Sequence, residues 1–126
     1  IVAANWKMNT IYNEGIQLAE SVLEQTGKID SGKLMLFAPP FTHLKAISDI
    51  VKNHHNTAVA AQNCSHEKHG AFTGEISPAM IHAAGCKYVI VGHSERRTLY
   101  SETEDIILKK MLAAVYNNLH VIYCCG

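Results

Sequence analysis

The sequence predicts an α/β fold in which strands and helices alternate around a parallel sheet. Two observations support this. Five short apolar runs begin between 24 and 33 residues apart, about the length of a strand-helix-strand unit. The runs are also continuous rather than alternating, as expected of parallel strands covered on both faces.

The first strand is read at Val2 to Ala4, and the helix after it carries the stripe Ile16, Ala19, Val22 and Leu23 before Gly27. Leu34 to Ala38 forms the second strand, followed after Thr42 by the stripe Leu44, Ile47, Ile50 and Val51. The third strand is Ala58 to Ala61. Beyond it, Ser77 and Pro78 supply an N-cap and first helical residue, with Gly85 as the stop. Tyr88 to Val91 is the fourth strand. Ser101 and Glu104 then read as a capping box opening a helix whose predicted stripe is Leu108, Met111, Leu112 and Val115. Val121 to Tyr123 closes the series. The crossovers are expected to be right-handed, and residues 1–126 to form one domain with no linker or internal repeat.

A chain of 126 residues can bury about two thirds of its unfolded surface, enough for one real core. Lys plus Arg and Asp plus Glu number 11 each, so no global basic field favours nucleic acid or an anionic membrane. No apolar run approaches the ~20 residues of a membrane span, and no secretory leader is recognisable, so a soluble cytoplasmic protein is expected. Cys64, Cys86, Cys124 and Cys125 lack disulfide or Cys-x-x-Cys spacing and read as reduced thiols. The chain opens at Ile1 inside an apolar run, without an initiator methionine. It is therefore expected to be part of a longer protein.

In a parallel sheet the residues just past each strand share one rim, where such folds place their chemistry. That rim holds Asn5 and Lys7, then Pro39 and Pro40, then Gln62, Asn63 and Cys64, then His93, Ser94 and Glu95, and finally Cys125 and Gly126. An ammonium, a carboxamide and an imidazole suit the stabilisation of negative charge developing on a carbonyl oxygen. Taken singly, a lysine such as Lys7 near a strand end is usually a solvated flank, and His93 can be a satisfied, partly buried histidine. Gly92 and the run Ser94 to Arg97 instead suggest a tight turn into a helix start, whose dipole favours the neutral imidazole. Glu95 with Arg96 or Arg97 could be no more than a surface ion pair.

Four collinear motifs go further: Asn5-Trp6-Lys7-Met8-Asn9, Ala38-Pro39-Pro40, Ala61-Gln62-Asn63 with Gly70-Ala71-Phe72-Thr73-Gly74-Glu75, and Val91-Gly92-His93-Ser94-Glu95-Arg96-Arg97. Together they resemble the triosephosphate isomerase family over the whole chain. The resemblance implies a TIM (β/α)8 barrel, of which this chain covers about the first half, from the first strand to the fifth. It also implies interconversion of dihydroxyacetone phosphate and glyceraldehyde 3-phosphate through an enediolate, in glycolysis and gluconeogenesis, with neither metal nor organic cofactor. Carried over, Lys7 would steady the enediolate and Asn5 would hydrogen-bond a substrate oxygen. His93 would be the neutral electrophile, a role for which this family is itself a standard example of pKa tuning. Glu95 would stand beside Lys7 and Ser94. The loop 62–75 would enter a pocket on a second subunit, with Thr73 inserted, Glu75 and Arg96 tying the contact, and Gln62 and Asn63 at its base, giving a homodimer.

The same resemblance marks what these residues do not include. The family's general base, a glutamate after strand six, has no counterpart here, nor do the lid and the phosphate loops after strands seven and eight. Cys125 stands where the family usually carries an aliphatic residue. The chain is therefore expected to supply the electrophilic part of a site and to need the C-terminal half of a barrel as its partner. The alternatives are a non-catalytic half-barrel scaffold, a phosphate-binding module, or a metal-binding module using Cys64, His66 and His69. His43, His82 and His120 fall at helix or strand positions where packing or solvent accounts for them.

Overall fold

Each of the five apolar runs is a strand in the computed structural model, which describes residues 1–125; Gly126, read above as part of the fifth rim segment, lies outside the described residues. The order is β1 (Val2–Asn5), α1 (Tyr12–Thr26), β2 (Met35–Ala38), a 3-10 turn (Phe41–His43), α2 (Leu44–Val51), β3 (Thr57–Ala61), α3 (Pro78–Ala83), β4 (Tyr88–Val91), α4 (Ser94–Leu99), α5 (Glu104–Tyr116) and β5 (His120–Tyr123).

The strands form one parallel sheet in the order β1-β2-β3-β4-β5. This order decides the architecture. Every crossover joins adjacent strands in one direction, so right-handed connections put all the helices on one side and leave no switch point of the doubly wound kind. The winding is that of a barrel wall. Side chains alternate accordingly. Phe37, Val59, Ala61, Val89 and Val91 pack under the helices with Leu23, Ile47, Ile81 and Ile107, while Ala38, Ala60 and Ile90 form a second, smaller cluster with Tyr88, Ile122 and Cys124.

Three readings of the sequence need correction. Burial on both faces holds for β2, β3 and β4 but not for β1, whose Val2 is 73% exposed, nor for β5. These are the two edge strands, each with a single neighbour. On α5 the buried face is Ile107, Lys110 and Ala114 with Met111 beside it, whereas Leu108, Leu112 and Val115 are exposed. A hydrophobicity pattern cannot place a lysine in the core, and here Lys110 sets the helix's rotation by reaching a buried carboxylate. The N-cap is Thr103 rather than Ser101: the Thr103 hydroxyl accepts from the Ile106 amide. Ser101 instead takes a left-handed conformation that turns Glu102 inward, so the helix starts two residues later. The α3 cap is as read, with Ser77 accepting from the Met80 amide and Pro78 next.

His43 is fully buried. Its ring stacks obliquely on Tyr12, Nδ1 lies 2.8 Å from the Thr42 hydroxyl, and Nε2 has no partner among the described residues. Gly15 makes room for it: a Cβ there would lie 2.4 Å from His43 Cδ2. An alanine inside a helix ordinarily stabilises by about 1 kcal/mol over glycine. Gly15→Ala is expected instead to destabilise by about 1–3 kcal/mol through overpacking, read as a lower urea midpoint.

Candidate functional site

The carboxyl ends of β1 and β4 carry the predicted residues, and the structure brings them together. Lys7 Nζ donates to Glu95 Oε1 at 2.5 Å, across 88 residues of sequence. The Lys7 hydrogen bond holds the Glu95 carboxyl below its ordinary range. Lys7 has a left-handed backbone (φ 54°), uncommon for a residue with a long side chain, and its amide donates to Asn5 Oδ1 at 2.9 Å. Gln62 secures this bend from below. Its side-chain amide donates to the carbonyl of Lys7 at 2.9 Å and to that of Ala38 at 2.8 Å, joining the rims of three strands. Backbone strain that surrounding contacts over-determine is a mark of functional sites.

His93 is the N-cap of α4, and its Nδ1 accepts from the Glu95 amide at 3.2 Å. A backbone N–H can donate only to a lone pair, so in this arrangement the ring proton sits on Nε2. The nearby Glu95 Oε2, 3.5 Å from Nδ1, is then a close neighbour rather than a hydrogen-bond partner. Nε2–H is left as a donor. Ser94 opens α4 and is exposed. The turn ahead of His93 depends on Gly92 (φ 76°), where a Cβ would meet Arg97 Nη2 at 3.0 Å and the Cys124 carbonyl at 3.3 Å. Arg97 closes that turn by donating to the carbonyls of Gly92 (2.7 Å) and Cys124 (3.1 Å) while pairing with Glu104.

Behind the rim lies a network that no sequence pattern signals. Glu102 and Lys110 are both buried and paired. Lys110 Nζ also donates to Asn63 Oδ1 at 2.9 Å, and Arg96 Nε donates to Glu102 Oε1 at 2.6 Å. Burial alone would raise the Glu102 carboxyl, but hydrogen bonds from Lys110 and Arg96 outweigh it and hold the group below its ordinary range. The network links the start of the 62–75 loop to the helix carrying His93. Asn63 is buried within the chain, and within the chain Arg96 pairs with Glu102. Thr73 and Glu75 are exposed on the same loop.

Among the described residues no group of three His, Cys, Asp or Glu side chains could hold a metal ion. Cys64 is buried while His69 is exposed. Burial pushes the Cys64 thiol up to about 11 and that of Cys86 up to about 12, so both are inert at neutral pH. All four cysteines are free. Among the described residues no helix is long and apolar enough to cross a membrane.

A singly wound parallel sheet with a lysine, a carboxamide and an imidazole on its strand carboxyl ends defines a protein of the β/α-barrel class. The family model for triosephosphate isomerase matches residues 1–126, and the chain belongs to that family. The triosephosphate isomerases of Amoebophilus asiaticus and Bacteroides fragilis are each 42% identical to it, over 100% of this chain and 50% of their own length. The crystal structure of triosephosphate isomerase from Bartonella henselae superposes with a TM-score of 0.89 at 34% identity, over 99% of this chain and 51% of that one. The chain thus spans about half the length of the relatives it matches, and its five strands are the corresponding half of a TIM barrel.

Proposed function

We propose that the full-length protein carrying these residues interconverts dihydroxyacetone phosphate and glyceraldehyde 3-phosphate through an enediolate, as a cytoplasmic glycolytic enzyme. The observation that carries this reading is the meeting of Lys7, Glu95 and His93 on one rim, with Asn5 fixing the strained turn at Lys7. His93 Nε2–H polarises the substrate carbonyl, and a neutral donor suits an oxygen that must take charge and later release it. Lys7 supplies positive charge for the phosphate dianion and the enediolate, and Glu95 orients it. Asn5 hydrogen-bonds a substrate oxygen. The proton on carbon is removed by a carboxylate outside these residues, on the other half of the barrel. No metal or organic cofactor takes part.

The exposed loop with Thr73 at its tip favours a homodimer in which that tip enters the neighbouring subunit, with Glu75 facing the partner. A polar loop of this length in a compact fold calls for such a contact. The exposed edges of β1 and β5 suit pairing with the remaining barrel strands.

A coupled assay on the natural full-length polypeptide tests the reading. Turnover is expected, and Lys7→Ala should lower kcat/KM by about 10²–10³. Absence of turnover in the folded protein would refute it. The 126 residues assayed alone should show no turnover, since they hold no base for the carbon proton.

A further inference from the structure

On the face opposite the rim, where β3 and β4 begin, lies a cavity of about 250 Å³. Ser48, Lys52, His54, His55, Thr57 and Lys87 line it. We propose that it binds a small phosphorylated anion, independently of the isomerase reading.

The chain as a whole carries equal numbers of acidic and basic residues, yet no carboxylate lines this cavity. His54, His55 and Lys87 make no ion pair among the described residues. Lys52 has only a long contact, 3.4 Å to Asp49, whose carboxylate is held more closely by Lys45. Ser48, only 8% exposed, adds a hydroxyl to the wall, and Gly85 leaves room for it: a Cβ there would lie 2.2 Å from Ser48 Oγ.

The loop carrying the two histidines is pinned before any ligand arrives. Thr57 donates to the carbonyls of Val51 (3.0 Å) and His54 (2.9 Å), and Asn56 donates to those of Ile29 and Asp30. Each imidazole offers at least one N–H in either protonation state, and the lysines offer ammonium donors. Concavity distinguishes the ligand: a pocket of this size takes a phosphate or pyrophosphate group with a small attached body, whereas a polyanionic surface would need a flat or convex basic face.

The test is titration of the natural full-length polypeptide with pyrophosphate and, separately, inorganic phosphate, followed by amide shifts. Saturable shifts are expected at Ser48, Thr57 and Lys87, resolved in the same spectra from any at Lys7, His93 and Glu95 on the opposite rim. Combining Lys87→Gln with His55→Asn should weaken binding at least about tenfold, the worth of one or two charge-assisted hydrogen bonds. Ser48→Ala, which leaves the charge unchanged, should weaken it severalfold. No saturable shift at these three amides, or shifts that survive the double variant, would overturn the proposal. So would a response of the same amides to DNA or anionic vesicles but not to pyrophosphate.

Discussion

Replacing Lys110 with methionine is expected to destabilise the protein by about 3 kcal/mol, the low end for breaking a buried ion pair. Methionine has a similar length and is tolerated in cores, so lost packing is a small part of the effect. The larger part comes from Glu102 and Asn63, which lose the donor that compensates their burial. Arg96 still holds Glu102, which keeps the cost from being higher. Adding Glu102→Gln to Lys110→Met should recover part of the loss, because the stranded charge is removed; a urea midpoint no higher than in the single variant would contradict this. The network also fixes a pH dependence. Glu102 has a folded pKa below its unfolded value, so its contribution is fully present above the ordinary glutamate range. It is lost as pH falls through the lowered folded pKa. The wild-type midpoint should fall on acidification below about pH 4.5, and Glu102→Gln should flatten that fall.

His93→Ala is expected to reduce kcat by about 10²–10³ in the full-length protein, the usual effect of removing one donor from an oxyanion site. KM should change far less, because the Nε2–H bond strengthens only as charge develops on the oxygen. Stability should hardly fall. His93 is a half-buried N-cap, and its loss costs about 1 kcal/mol, so loss of activity cannot be ascribed to unfolding. A variant that kept wild-type kcat would remove His93 from the mechanism.

The strand positions were legible because β2, β3 and β4 are buried on both faces, and continuous apolar runs are what such strands require. The edge strands β1 and β5 carry the same kind of run while remaining exposed, since a sequence records what a strand is built to meet rather than what covers it. The rim residues Asn5, Lys7 and His93 were legible for a similar reason: topology puts strand ends side by side, so chain order alone lists the candidates. Gln62 reads from the sequence as a rim residue and as the base of a loop contact, with no bonding partner indicated. Its bonds to Lys7 and Ala38 depend on three strands lying in register, which no local pattern reports. The Glu102–Lys110 pair was missed because both residues read as solvated charges by every compositional rule. The same pair accounts for the rotation of α5, which turns Lys110 inward and leaves Leu108, Leu112 and Val115 exposed.

The central claim is that Asn5, Lys7 and His93 meet negative charge developing on the substrate rather than the resting substrate. Binding measured by calorimetry on the natural full-length polypeptide tests it most directly, comparing a phosphorylated hydroxamate that mimics the enediolate with a neutral-headed phosphate ester of the same length. The mimic should bind at least about 10²-fold more tightly, and His93→Ala should remove most of that difference while leaving the ester's affinity nearly unchanged. Equal affinity for the two ligands, or a preference that survives His93→Ala, would contradict it.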